Sequence, residues 1–577
     1  MDERSSTPAG EQAGPGSAAT STAPGAATTA AFARATADPS QSQRNDNNIK
    51  ETIESILVAF ILAFIFRAFI VEAFVIPTGS MAPTLLGAHL RWDCADCGYR
   101  YVTNYSPHKY DDDGNPLIPN YTGPVPGRNS RGAPALVPNT HEVKCPNCGF
   151  DVPRTEAQDV PVHYGDRILV LKYLYLFEDP QRWDVAVFKS PFDSPKYQQN
   201  YIKRLVGRPN ESVVLLDGDV YVAPAGATSL DEFQIQTKPK HVQDALWRVV
   251  YDNDHHPRGL TRRTGAWRQP WTVRQGSGWQ LDAEANLGAA DRIFTFENST
   301  SGGTIVFDRE ANPANNPLSD WLAYDVEDEQ RQGWVPAIVG DLKLQLDYTR
   351  AAGEGPLRLR LSKGDDTFIA EITPTGAKLL RTSGDSGETE LAAVSVAFSG
   401  RAIRIEFQNV DHQVTLRVND EVLLQTTPQQ YQPDKRALLE QFRDRTNPPL
   451  PTAAITAERQ SCALSHVSLW RDVYYLNRER NQDTRMWASP TDFPENVIHL
   501  GPKEYFVLGD NSLMSLDARM WNQDIELADL RVASGRVPDR FMLGKAFFVY
   551  WPAGYKPVDS APMPAITPNF GDMRFIR

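Results

Sequence analysis

Four short segments of the chain hold residue types that could do chemistry. Ser80 lies in Pro77-Thr78-Gly79-Ser80-Met81-Ala82-Pro83, a Ser after Gly with Pro on both sides. A Ser hydroxyl becomes a nucleophile when an adjacent base takes its proton. Taken alone, the segment suits an ordinary constrained turn equally well. Lys203 lies in Tyr201-Ile202-Lys203-Arg204-Leu205-Val206-Gly207. In an extended strand it shares a face with Tyr201 and Leu205. Apolar neighbours that bury the amine would disfavour the ammonium, and bringing an ordinary Lys to neutrality as a base requires about 4 kcal/mol. The alternative is a Lys on an edge strand in solvent. The third segment, Gly509-Asp510-Asn511-Ser512-Leu513-Met514-Ser515-Leu516-Asp517-Ala518-Arg519, follows a strand-like run and places Asp517 and Arg519 where they can pair. It too could be a surface loop.

The fourth set is Cys94-Ala95-Asp96-Cys97-Gly98 and Cys145-Pro146-Asn147-Cys148-Gly149, two C-x-x-C-G knuckles with 47 residues between Cys97 and Cys145. Two thiolates on a tight turn can grip one metal, and two such turns supply a tetrahedral four-sulfur shell. A closed shell of this kind is structural, not catalytic. Zinc is the expected ion, and two disulfides are the competing reading in an oxidising compartment. Cys462, which has no counterpart, is expected as a buried free thiol. His108 and His141 are expected in solvent-exposed loops.

These groups need elements to hold them. Residues 1–48 are rich in Ala, Thr, Ser, Gly and Pro, which cannot bury enough surface to fold, so a disordered tail is expected. Ile56 to Phe66 is apolar without a break, and Thr52 to Val71 is long enough to span a bilayer. An uncleaved anchor over 49–72 is therefore expected. Arg34, Arg44 and Lys50 precede it, which favours a cytoplasmic N-terminus with the rest of the chain exported. Strand-like runs recur at 165–175, 184–190, 201–207, 212–222, 504–510 and 545–551, and Asp217-Gly218 predicts a hairpin turn. Between 226 and 485 a series of short alternating runs predicts an antiparallel sandwich. Its residues Trp247, Trp267, Trp271 and Trp279 could stack on sugars, although core packing is the commoner use of such side chains.

The Ser80, Lys203 and Asp510–Arg519 segments, in this order after an N-terminal apolar run, resemble the type I signal peptidases, the S26 serine proteases with a Ser–Lys dyad. Gly165-Asp166-Arg167-Ile168-Leu169-Val170-Leu171-Lys172 resembles a further box of that family, and the run Leu543 to Pro552 resembles its closing strand. The resemblance covers the anchor and about 200 residues of β core, split by insertions. It implies Ser80 as nucleophile and Lys203 as general base, with no His–Asp pair. Thr78 would join the Ser80 backbone N–H in stabilising the oxyanion, and Ser515 would orient the lysine amine. Asp510, Asp517 and Arg519 would support the site. Phe74, Ile76, Tyr201 and Ile202 would form a shallow apolar pocket that selects small residues before the scissile bond. Three positions depart from the common pattern: Ser512 stands where an Arg is usual, Ala518 where a Ser is usual, and Thr78 in place of Ser.

The expected fold is mainly β: a signal-peptidase-type core in three parts (73–90, 160–225 and 486–577) after one transmembrane helix. A zinc-ribbon-like insertion (91–159) and an antiparallel β-sandwich insertion of concanavalin or laminin-G type (226–485) divide it. With Lys and Arg totalling 59 against 72 Asp and Glu, the chain is acidic and has no long basic run, which argues against nucleic-acid binding. The expected partners are preprotein signal peptides and membrane lipid, with no cofactor for catalysis and a glycan or a protein as the sandwich ligand. The expected location is the plasma (inner) membrane, single-pass, with the catalytic region on the extracytoplasmic face. A membrane-anchored binding protein without activity and a self-cleaving regulator are the other function classes considered; the intact dyad argues against the first and the apolar span against the second.

Overall fold

The computed structural model describes residues 39–65, 67, 70–104, 125–128, 134–137, 143–150, 152, 160, 162–191, 199–257, 267–281, 292–311, 318–325, 337–384, 386–398, 402–476, 486–527, 530–552 and 569–577. His108 and His141 lie outside the described residues, as does most of the expected tail. The chain divides into two units, Met1–Ile65 and Phe66–Arg577.

In the first unit, residues Pro39–Ile65 form one α-helix. It begins inside the expected tail, because Pro39 can open a helix without losing a hydrogen bond. The expected anchor over 49–72 is not a single element: the helix ends at Ile65, and Val71–Val75 is a β-strand. Among the described residues no helix is long and apolar enough to cross a membrane. The last 18 residues of this one still carry Lys50, Glu51 and Glu54. Its apolar residues, among them Ile53, Leu57, Phe60, Ile61 and Phe64, are exposed.

The second unit is almost wholly β. An eight-stranded antiparallel sheet runs in the order Val71–Val75, Arg167–Leu171, Met542–Trp551, Val185–Lys189, Asn200–Gly207, Glu504–Leu508 and Val537–Pro538, with Arg574–Phe575 also pairing on Met542–Trp551. The strands come from all three expected parts of the core. Asn200–Gly207 lies between Val185–Lys189 and Glu504–Leu508, so Lys203 stands opposite Ala186 on one neighbour. Beside this sheet, Glu211–Leu216 and Asp219–Pro224 form the predicted hairpin. Its two-residue turn has Asp217 at φ 50° and Gly218 at φ 84°, the left-handed conformation that Asp-Gly tolerates.

The insertion between 226 and 485 builds an antiparallel sheet of 13 strands. Its centre is Ala453–Arg471, a 19-residue strand that pairs with Arg248–Asp252, Phe294–Phe307, Leu342–Gly353 and Leu357–Lys363. The two ends of the sheet, Thr389–Ser395 and Glu421–Gln425, lie against one another, so the sheet closes around its interior. Trp247, Trp267, Trp271 and Trp279 are all buried, which assigns them to packing and leaves none as an exposed sugar platform.

The sequence reading treats the cysteine insertion and the sandwich as separate modules. The structure joins them. Leu90, Trp92, Cys94, Tyr101, Val143, Cys145 and Cys148 belong to the same apolar cluster as Phe294, Leu344, Ile455 and Leu469 of the sandwich. The expected border at residue 90 also falls within a strand, His89–Asp93, which pairs with Arg100–Asn104 and Val162–His163.

A buried charge network ties the sandwich to the hairpin. Lys363 reaches Asp341, Asp217 (3.4 Å) and Asp219 (3.6 Å), and Lys238 reaches Asp411 and Asp472 (2.9 Å). Burial alone would favour the neutral amines. The surrounding carboxylates outweigh it and hold both ammoniums well above the ordinary lysine range.

Candidate active site

Ser80 sits in a single turn of 3-10 helix, Gly79–Met81, that Pro77 leads into and Pro83 follows. The turn packs beside the strand Asn200–Gly207, and Lys203 Nζ lies 2.7 Å from Ser80 Oγ and 3.1 Å from the carbonyl of Ile202. The strand alternation read from the sequence is borne out at this point: the amine stands 5.4 Å from the centre of the Tyr201 ring. Lys203 is buried, and its pKa is lowered from 10.5 to about 8. Loss of hydration is the chief cause. Asp517 and Asp510 pull the value back up, and Arg519 pushes it down. The pair is thus a hydroxyl in contact with an amine that gives up its proton near neutrality, the arrangement needed to activate an alcohol.

The segment after Leu508 supports this pair. Asp510 makes a two-pronged ion pair with Arg204, Nε to Oδ1 and Nη2 to Oδ2, both 2.7 Å, with neither side chain exposed. Arg204 also donates to the Trp183 carbonyl at 2.9 Å. Because alternate residues of a strand face opposite ways, Lys203 faces Ser80 while Arg204 ties the other side of the same strand to Asp510. The sequence reading passed over Arg204, although it stands next to Lys203. Asp517 and Arg519 pair as expected, with Nε to Oδ1 at 2.8 Å and Nη2 to Oδ2 at 2.7 Å, and Asp517 Oδ2 accepts from the Gly509 N–H at 2.9 Å. Ser512 has a use that its departure from the usual Arg did not reveal. Its Oγ accepts from Leu476 N at 2.7 Å and from Arg519 Nη1 at 2.9 Å, which fastens the end of the sandwich insertion to this loop.

Three of the predicted positions differ from expectation in detail. Ser515 Oγ is buried with no hydrogen-bond partner among the described residues, and the amine of Lys203 bonds to Ser80 and Ile202 instead. Thr78 precedes the Ser80 turn with its side chain exposed and not bonded as a helix cap. Phe74, Ile76 and Ile202 share an apolar cluster with Met81 and Leu85, but Tyr201 does not join them. Its ring packs with Phe188 and Trp521 in a different cluster. Asn511 is a further residue that sequence reasoning missed: its backbone N–H donates to the Ser80 carbonyl at 3.1 Å.

The two cysteine knuckles have the same backbone. Gly98 N–H bonds to the Cys94 carbonyl and Gly149 N–H to that of Cys145, and the two glycines take φ of 73° and 72°. The four sulfurs lie within 4.8 Å of one another, with Cys94–Cys148 and Cys97–Cys145 both at 3.6 Å, and none is in a disulfide. A tetrahedral zinc–sulfur shell with bonds of about 2.3 Å has edges of about 3.8 Å, so the donor set fits such an ion. Asn147, within the second knuckle, accepts from Asp252 N at 2.7 Å and donates to the carbonyls of Asp252 (3.2 Å) and His255 (2.9 Å) at the edge of the sandwich. Cys462 is buried and free, and burial raises its thiol to about 12.

The family described as signal peptidase, peptidase S26, matches residues 49–96, 152–284 and 399–551. A probable signal peptidase I-2 of Synechocystis sp. is 30% identical over 108 residues, which cover 17% of this chain and 48% of that protein. A signal peptidase I of Rickettsia bellii is 24% identical over 185 residues, covering 32% of this chain and 43% of that one. The chain spans about half the length of the curated relatives it matches. Among solved structures, the carbohydrate-binding module CBM66 from Bacillus subtilis overlaps 35% of this chain and 94% of its own length, at 9% identity and a TM-score of 0.21. A likeness that slight carries no argument.

Proposed function

The chain belongs to the signal peptidase family, peptidase S26, and from that premise we propose that it is a serine endopeptidase that removes N-terminal signal peptides from exported preproteins after small-x-small sites. The observation that carries this reading is the 2.7 Å contact between Ser80 Oγ and the buried amine of Lys203. Ser80 Oγ attacks the scissile carbonyl carbon while Lys203 Nζ, in its neutral form, takes the hydroxyl proton. The resulting oxyanion is received by the Ser80 backbone N–H and the hydroxyl of Thr78, whose exposure and lack of a capping bond leave it available. Donors of this kind typically lower such a barrier by a few kcal/mol. Lys203 then passes the proton to the departing amine, leaving an ester on Ser80. Water, deprotonated by the same amine, cleaves that ester and restores the serine.

Arg204, Asp510, Asp517 and Arg519 hold the strand and loop between which this chemistry occurs. Phe74, Ile76 and Ile202 line the small-residue pocket, with Tyr201 on the Lys203 side. No cofactor takes part. Cys94, Cys97, Cys145 and Cys148 hold a structural zinc ion. The apolar run ending at Ile65 anchors the chain in the plasma membrane with its N-terminus in the cytoplasm and its catalytic region outside, where preproteins emerge. The sandwich binds a glycan or a protein.

Purified full-length protein in detergent, given a preprotein with an Ala-x-Ala site, is expected to cleave it once. Ser80→Ala and Lys203→Ala proteins are expected to fold and cleave nothing; cleavage by either would overturn the assignment.

A further inference from the structure

The Ser80 turn is held from the side of the large insertion as well as by the core. Residues 318–325 belong to that insertion and lie outside the segments matched by the family. They are anchored at their start: Val339 N–H bonds to the Leu318 carbonyl at 2.9 Å, Asp320 exchanges bonds with the backbone of Ala337, and Arg471, at the end of the long central strand, donates to the Trp321 carbonyl. Asn104, in the sheet beside the cysteine knuckles, donates to the Tyr324 carbonyl at 2.7 Å.

From this base Tyr324 reaches the turn directly and Asp325 reaches it through Asn511. Tyr324 is buried with its ring against Gly79, so closely that a Cβ at residue 79 would collide with it, and it packs on Ala82 and Leu86. Asp325, also buried, accepts from Asn511 Nδ2 at 2.7 Å. The same Nδ2 donates to the Gly79 carbonyl at 3.3 Å, and the Asn511 backbone N–H donates to the Ser80 carbonyl at 3.1 Å. An amide side chain can turn over, exchanging its oxygen and nitrogen. A carboxylate acceptor removes that freedom, because only the NH₂ end can face both Asp325 and the Gly79 carbonyl. Asp325 supplies the shortest of the contacts that orient Asn511, whose Oδ1 also accepts from the Met514 N–H at 3.4 Å, and Asn511 fixes the carbonyls of Gly79 and Ser80.

We infer that Asp325, acting through Asn511, is a positioning residue for the Gly79–Ser80 turn, and that Tyr324 forms the wall against which the turn is set. The insertion thus completes the site. Asp325 can play this part only if Ser80 is the nucleophile proposed for the chain. It touches no reacting atom, so its removal should slow the chemical step and leave substrate binding almost unchanged.

The test is preprotein cleavage by the full-length protein, with kcat and KM measured separately for wild type, Ser80→Ala, Asp325→Ala, Asp325→Asn, Asn511→Ala and the double variant Asp325→Ala/Asn511→Ala. Asp325→Ala is expected to lose about tenfold or more in kcat with KM within about twofold. Asp325→Asn keeps an acceptor oxygen and is expected to recover most of the loss. The double variant is expected to be no slower than the slower single one, because both act through one chain of contacts. If Asp325→Ala does not fold, Asp325→Ser is read in its place. Full kcat in Asp325→Ala, losses that multiply in the double variant, or no recovery in Asp325→Asn would overturn this inference while leaving the role of Ser80 intact. Cleavage by Ser80→Ala would overturn both.

Discussion

The protonation of Lys203 offers the sharpest test of the site. Burial lowers its pKa from 10.5 to about 8. With about 1.4 kcal/mol per pKa unit, the fold disfavours the ammonium by about 3 kcal/mol. Near pH 7 about one molecule in ten would then carry the neutral amine, against about one in three thousand for an ordinary lysine, a gain of about 300-fold in competent base. The kcat/KM for a signal-peptide substrate reports the free enzyme's base. It is expected to rise about tenfold per pH unit below about pH 8 and to level off above it. The same shift acts on stability. The unfolded chain binds this proton up to about pH 10.5 and the folded chain only up to about 8, so this group's contribution to stability rises with pH across that window. Below about pH 8 the full penalty of about 3 kcal/mol is present. Lys203→Met, read by urea denaturation, is expected to be inactive yet more stable near neutrality by up to about 3 kcal/mol, the advantage vanishing by about pH 10.5. A rate profile already flat by about pH 6, one that turns near pH 10.5, or a Met variant with no stability gain would refute the reasoning.

Two other expectations follow from the insertions. Stripping metal with a strong chelator, or replacing Cys97 by Ser, is expected to raise hydrogen exchange in Arg100–Asn104 and at the Asn147–Asp252 contact before preprotein cleavage falls; metal analysis that finds none in the purified protein would remove the zinc assignment. Lys363→Met leaves Asp217, Asp219 and Asp341 without their shared cation, and is expected to destabilise the protein by about 3–5 kcal/mol in denaturant titrations, with no loss if the network is unimportant.

The parts of the site that were legible in the sequence are those set by local pattern. Strand alternation put Lys203 on the Tyr201 face, Asp-Gly gave the hairpin turn, and the two-residue spacing of Asp517 and Arg519 gave their ion pair. The Cys-x-x-Cys-Gly repeat gave two matching turns. What could not be read depends on contacts between distant segments. Arg204 stands beside Lys203, yet its carboxylate partner, Asp510, is 306 residues away. Asn511 lies in the Gly509–Arg519 segment, but its role requires Asp325 from inside the insertion. No periodicity marks such pairings, because a single carboxylate on a loop has the same local signature whether it meets water or a buried amide. The division into modules was misleading for the same reason. Composition changes sharply at the cysteine segment, but its apolar residues point into the sandwich interior, and a sequence shows which residues are apolar without showing which interior they share.

That common interior limits how the protein can be trimmed or built upon. Excising the cysteine lobe would lay bare one wall of the sandwich, and excising the sandwich would strip the lobe of its floor. The two insertions are thermodynamically one appendage, so loss of order in either should spread to the other. A minimal protein made by cutting at the apparent module borders would therefore lose a foundation of the Gly79–Met81 turn along with the apparent ornament.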